Sequence, residues 1–329
     1  MCRSVVFLCT LVCAKLSQAI WIKEMENVDA FEGDMILNPQ QRKAIQNGNY
    51  GFATTNSKEF QHWPQGTPIA YEITSSIGAA GVTAIKEAIA EYEKHTCLRF
   101  RTRTSERAYL SFYRGNGCSS PVGYRGFKNS ISLASGCWKK GVAMHEIAHS
   151  LGIMHEQSRP DRDNYVKINW HNILPEMKGN FAKEAPKNID SLGTAYDLCS
   201  MMHYGKDAFG AGRITIQVLD KSKEDWIGQR DGFSEIDIRQ INMMYKCKNT
   251  PVCDNKDKNC VSWASQGYCT DKKEKQWMAD NCCKACEGKN SSCGCRNENP
   301  RCDAWEKMGE CWRNKQYMHK YCKKSCKLC

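Results

Sequence analysis

HEIAHSLGIMHEQ, residues 145–157, is the stretch on which the reading of the whole chain turns. Set on a helix, His145 and His149 are four residues apart and share one face, so their imidazoles can grip a single ion. Glu146 lies about 100° further round and overhangs that ion rather than binding it. Gly152 can take a positive φ, which lets the chain double back and deliver His155 as a third ligand. Three protein ligands leave a coordination position for water, the signature of a catalytic zinc site; a structural zinc is closed by four. Zinc lowers the pKa of bound water to about 7, and Glu146 is placed to take its proton. A bare HExxH is a moderate signal, whereas the longer form with Gly152 and His155 is far more specific. His62, His95 and His171 have no such context and read as ordinary surface or core residues.

Working outward, "GVTAIKEAIAEYEKHTC" places Val82, Ile85, Ile89 and Tyr92 at spacings of three or four, the stripe of an amphipathic helix. "CLRFRTR", "AYLSFY" and "SISLAS" alternate as strands do. "WKKGVAMHEIAHSLG" reads as a second helix ended by Gly152, and "SEIDIRQINMMYKC" as a closing helix capped by Ser234. Residues 156–230 are rich in turn formers, so little regular structure is expected there. Few strands and a few long helices make the fold class α+β.

Composition sets the compartment. Residues 1–19 combine Arg3, an apolar run over 5–14 and small residues at Ser17 and Ala19, the pattern of a signal peptide. No run approaches the roughly 20 apolar residues that a bilayer requires, so no transmembrane anchor is expected. The chain holds 21 cysteines, three of them (Cys2, Cys9 and Cys13) in the leader. The even remainder in an exported chain implies disulfides. Such a chain reads as secreted and extracellular, and nucleic acid is excluded as a partner. The net charge of +11 is concentrated in the tail, where 248–329 carry 17 Lys and Arg against 10 Asp and Glu. A basic tail favours anionic surfaces, though a solvated face on a small module explains it equally well.

Cysteine density marks the boundary: five lie between 20 and 247, thirteen between 253 and 329. The first region is long enough for a core; the second must be stapled. Within the tail, "CDNKDKNCVSWASQGYC" and "CRNENPRCDAWEKMGEC" agree in every cysteine, in the Trp after the second and in the Gly before the third, so two copies of one module are present.

"HEIAHSLGIMHEQSRPDRDNYVKINWHNI" resembles the astacin family of metalloproteases, whose pattern puts Glu directly after the third His. "YDLCSMMHYG" is similar to the family's Met-turn, "IGQRDGFSEIDIRQINMMYKC" to its C-terminal stretch, and "FEGDM" (31–35) to its pro-region motif. The resemblance implies a two-lobed metzincin domain with a zinc cleft and a secreted endopeptidase acting on protein or peptide substrates. His145, His149 and His155 would bind one Zn2+, with Glu146 as general base. Met202 would floor the site, and Tyr204 would leave the metal to bond the oxyanion. Asp34 would ligate zinc in the precursor, and Glu156 would meet the new N-terminus of the mature enzyme. The divisions that follow are a signal peptide over 1–19, a pro-region over 20–43 (extending to about 53 on the family's pattern) and a catalytic domain over 44–248.

Residues 253–293 and 295–329 resemble ShK toxin-like modules, the first irregular. The family pattern implies bridges Cys97–Cys247 and Cys118–Cys137 in the catalytic domain. In the modules it implies Cys253–Cys293, Cys260–Cys282 and Cys269–Cys286, then Cys295–Cys329, Cys302–Cys322 and Cys311–Cys326. Parity then leaves Cys199 and Cys283, which either pair with each other, the reading adopted, or stay free or pair between molecules. Asn290 heads a glycosylation sequon. The alternative function is that of a toxin or adhesion protein acting through the modules, on a potassium channel or an extracellular surface; a cross-linked matrix protein is a third.

Overall fold

The computed structural model describes residues 30–46, 60–186, 190–248, 253–271, 273–287, 299, 301–323 and 325–326. The leader, Asn290, Cys293, Cys295 and Cys329, and with them the expected Cys295–Cys329 bridge, lie outside the described residues.

A six-stranded sheet forms the upper layer, in the order β1-β5-β6-β4-β2-β3. The strands are β1 (Met35–Ile36), β2 (Ile69–Ile73), β3 (Phe100–Thr102), β4 (Leu110–Tyr113), β5 (Cys118–Pro121) and β6 (Asn129–Leu133). All neighbours run parallel except β5 and β6. β5 therefore lies between an antiparallel partner and the short β1, which pairs Met35 with Ser120. Helix α1 (Pro39–Gln46) follows β1, and the 43/44 boundary expected from sequence falls inside it.

Helices α2 (Ala79–His95) and α3 (Lys140–Leu151) pack against the sheet. α2 buries Ile85, Ala88 and Tyr92, the face that its three-and-four spacing announces. Every residue of α3 from Gly141 to Leu151 is buried, so this helix is a core element enclosed on all sides. Three aromatic donors fasten it: the Tyr92 hydroxyl to the Met144 carbonyl, the Trp63 indole to Ser150 and the Tyr245 hydroxyl to Leu151, each at 2.8 Å. Gly152 ends α3 at φ 106°, a left-handed conformation that glycine adopts without a Cβ penalty.

The described part of residues 156–230 is mostly turns and short 3-10 helices, the longest Pro175–Phe181, as its composition suggests. The exception is an antiparallel ribbon of β7 (Val166–Ile168) and β8 (Ile216–Val218), over a second apolar cluster that includes Phe181, Tyr196 and Phe209. Its strands are three residues long and far apart in sequence, too short to show a period. Helix α4 (Glu235–Met244) closes the domain with a full capping box: Ser234 accepts from the Asp237 amide, and Asp237 accepts from the Ser234 amide.

The structure contains Cys97–Cys247 and Cys118–Cys137 in this domain. In the tail it contains Cys260–Cys282, Cys269–Cys286, Cys302–Cys322 and Cys311–Cys326. Two expectations are overturned. Cys253 pairs with Cys283, at a Cα separation of 5.0 Å, so neither Cys253–Cys293 nor Cys199–Cys283 forms. The side chain of Cys283 opens the turn Cys283–Cys286 and faces the start of the module, a proximity that alignment of the two copies could not reveal. Cys199 is itself disulfide-bonded.

Candidate metal centre

α3 puts His145 and His149 on one face, and the turn at Gly152 brings His155 opposite them. The Nε2 atoms of His149 and His155 lie 3.1 and 3.4 Å from that of His145, so the three imidazoles converge on one point. Each ring is oriented from behind. His145 Nδ1 donates to the Met201 carbonyl and His149 Nδ1 to the Ile153 carbonyl, both at 2.8 Å. Those bonds put the proton on Nδ1 and leave the Nε2 lone pair facing the cluster, the tautomer a metal needs.

Asp34 completes the cluster. Its Oδ2 is 3.0 Å from His145 Nε2 and 3.2 Å from His155 Nε2, and its Oδ1 is 3.3 Å from His149 Nε2. One ligand atom from each of the four residues lies within 4.8 Å of every other, and three imidazoles with one carboxylate form a donor set suited to zinc, which each ring would bind in its neutral form. Burial opposes ionisation of Asp34, but the charges of His155 and His149 outweigh it and hold its carboxyl well below the usual range. Burial, reinforced by Arg230, pulls His145 down to about 3. Burial also opposes a charge on His155, but Asp34 and Glu32 overcome it and lift that ring to about 9.

Glu146 is buried beside the cluster and is not one of its ligand groups; its Oε2 has no hydrogen-bond partner. Burial and then the charge of Asp34 push its pKa well above normal. A carboxylate so raised is suited to accept a proton.

Met201 and Met202, in the turn of "YDLCSMMHYG", are buried in the main core. α4 holds this turn through Asp237, whose carboxylate accepts from the Ser200 hydroxyl at 2.6 Å and the Met201 amide at 3.0 Å. The His155 loop is tied to the same turn by the Glu156 amide, which donates to the Met202 carbonyl, and by the Tyr204 amide, which donates to Gln157 Oε1, both at 3.1 Å. The Tyr204 ring packs against that of His155, with centroids 4.7 Å apart, and its hydroxyl donates to the Glu32 carbonyl at 2.6 Å. Glu156 accepts from the Asp197 amide at 2.7 Å and from Arg159 at 3.1 Å. Burial raises its pKa to about 7, against the pull of Arg159.

Two participants were not singled out from sequence. Glu32 bonds His155 Nδ1 at 2.9 Å and accepts from the Ser158 hydroxyl at 2.7 Å, on a backbone held at φ 47°. A charged residue beside Gly33 and Asp34 in "FEGDM" was the available signal. Arg230 lines the cavity of about 270 Å³ that also includes Asp34, His145, Glu146 and Tyr204. It lies within the quoted "IGQRDG", but nothing local marks it as facing the site.

A buried helix carrying two histidines, a glycine turn to a third and an adjoining carboxylate, all beside a mixed sheet, define a domain of the zinc-metallopeptidase class. The chain belongs to the astacin family: residues 55–246 match the Astacin peptidase family. Residues 252–287 and 294–329 each match the ShK domain-like family. The chain is 36% identical to zinc metalloproteinase nas-15 of Caenorhabditis elegans, over 94% of this chain and 56% of that protein. It is 38% identical to the low choriolytic enzyme of Oryzias latipes, over 67% of this chain and 79% of that one. Among solved structures it is similar to high choriolytic enzyme 1, a hatching-enzyme zinc-protease of Oryzias latipes. That match has a TM-score of 0.53 and 39% identity, and covers 57% of this chain and 95% of the other. The chain thus spans about half the length of the nas-15 protein. No described helix is long and apolar enough to cross a membrane.

Proposed function

We propose that this chain is the precursor of a secreted zinc-dependent endopeptidase, held inactive by Asp34. One observation carries the reading: the Asp34 carboxylate lies within 3.3 Å of all three converging imidazoles, where a water must sit for hydrolysis. His145, His149 and His155 would hold the zinc. When bound, it supplies Lewis acidity, which polarises a carbonyl and makes water acidic enough to attack at neutral pH.

The chain's own groups do the rest. Once Asp34 leaves, Glu146 loses the neighbouring negative charge and accepts the proton of the attacking water, then passes it to the departing amine. Tyr204, freed from the Glu32 carbonyl, turns its hydroxyl to the developing oxyanion. Glu156, paired with Arg159 in the precursor, receives the new N-terminus. Substrates would be proteins or peptides in extended form. The choriolytic and hatching-enzyme relatives suggest an extracellular coat as one such substrate, and venom or digestive use is equally compatible with the chemistry. The tail modules would bind an extracellular surface, with Trp312 (77% exposed) and Lys315 above its ring as the most accessible pair.

Casein hydrolysis after proteolytic activation tests this. Glu146→Gln is expected to keep zinc, read by metal analysis, and to lose activity by about 10²–10⁴-fold. Asp34→Ala is expected to give a precursor active without processing. Wild-type hydrolysis by Glu146→Gln, or a silent Asp34→Ala precursor with full zinc, would refute the respective role.

A further inference from the structure

Glu287 belongs to the first tail module but is buried against the catalytic domain, its side chain only 3% exposed. It directly follows Cys286, bridged to Cys269, and comes four residues after Cys283, bridged to Cys253, so two covalent links fix the backbone that presents it. Its carboxylate pairs with Arg239 of α4 and accepts from the Ala195 amide at 3.1 Å. Arg239 also approaches Cys283 Sγ at 3.9 Å.

The other side of the same segment faces Glu156. The carbonyls of Thr194 and Ala195 each accept from Arg159 at 3.2 Å, and Arg159 also donates to Glu156. The Asp197 amide donates to Glu156 Oε1, and Gln240 fixes the Thr194 hydroxyl at 2.7 Å. Residues 194–197 are thus clamped between a carboxylate of the module and the Glu156–Arg159 pair. The second module could not do this, because its residue after the corresponding cysteine is Lys327.

We propose that the first ShK-like module is a fixed part of the activation pocket, with Glu287 as a positioning residue that holds residues 194–197 against Glu156. This rests on the reading of Glu156 as the partner of the new N-terminus. Loss of a buried carboxylate leaves Arg239 uncompensated and the Ala195 amide without its acceptor. The segment loosens, and Glu156 is no longer held where it must receive an amine.

The test uses the full chain with Glu287→Ala, Glu287→Gln and, as a control at an exposed position of the second module, Met308→Ala. Amide exchange at Ala195, the rate of conversion to active enzyme, and kcat and KM on casein are measured for each. Glu287→Ala is expected to raise Ala195 exchange about tenfold, as loss of a bond to a charged acceptor allows. It should slow conversion and lower kcat with KM unchanged, while Glu287→Gln falls between and Met308→Ala behaves as wild type. Should Glu287→Ala fail to fold, Glu287→Gln carries the same comparison. Unchanged exchange, or faster exchange with normal conversion and kcat, overturns the role of the module. Glu156→Gln is measured alongside: if it converts and turns over normally, the reading of Glu156 fails and the proposal with it. Normal behaviour of the Glu287 variants alone overturns only the proposal.

Discussion

The catalytic region and the tail modules are built on opposite principles. The catalytic region buries Ile85, Leu110, Phe112, Ile131, Leu133, Met144 and Leu151 completely or nearly so around α3. In the second module the buried cluster is Cys302, Cys311, Met318 and Cys322, and the first repeats it with Met278 at the matching place. One methionine and a set of cross-links do there what a layered core does upstream. A chain of a few dozen residues cannot bury enough apolar area to offset its conformational entropy, so it constrains its unfolded state instead. The histidines sit in the packed region because a metal site needs ligands that do not move, and packing gives that rigidity.

The largest expected effect breaks the packed side. A Cβ on Gly141 would lie 1.6 Å from the Arg230 carbonyl oxygen, with backbone on both sides and nothing to give way. Gly141→Ala should therefore destabilise the catalytic domain by more than about 4 kcal/mol. Calorimetry should show its transition lowered while the modules stay resistant to proteolysis; an unshifted transition would contradict the close packing.

Next in size is the cross-linked side. Replacing Cys302 and Cys322 together by Ala opens a link across 20 residues. The second module should lose about 3 kcal/mol, most or all of its stability. Limited proteolysis should then cut within 301–323 while the catalytic transition stays in place. A drop in both would show that the two regions fold as one.

A smaller effect, dependent on pH, comes from His203. Burial, backed by Arg230, holds this ring at about 4, and its Nε2 pairs with the Tyr196 hydroxyl at 2.7 Å. Because the folded pKa is below the unfolded value of about 6.5, the unfolded chain binds the extra proton first. The associated stability is fully present above pH of about 6.5 and drains as pH falls towards 4. From pH 7 to 5 the loss is about 2 kcal/mol. His203→Gln, which can keep both hydrogen bonds, should flatten the stability curve by that amount in denaturant titrations. An unchanged slope would mean that His203 is already charged when folded.

The helices were legible because their apolar spacing and caps are local: α2 and α3 fall where the periodicity and Gly152 put them, and α4 starts at Ser234. β2 and β5 were not. β5, "CSSP", is buried at all four residues between β1, β6 and α3, so it shows no alternation of polar and apolar residues. The histidine set and Glu146 were readable for the same local reason, since they form a short pattern whose chemistry fixes its spacing, whereas "FEGDM" was legible only through its resemblance to the family.

By itself the sequence determined the ion-binding triad, the α+β class, the repeat in the tail and the division between a packed and a stapled region. Each of these rests on residue spacing or on composition. Only the tertiary structure decided that Cys253 meets Cys283, that Glu32 backs His155, that Asp237 carries the Met-turn and that Glu287 grips Ala195. These pairs depend on distances of a few ångströms between segments remote in sequence or on alternative neighbours in a cysteine-dense loop. Many pairings satisfy the same composition, and packing selects one of them.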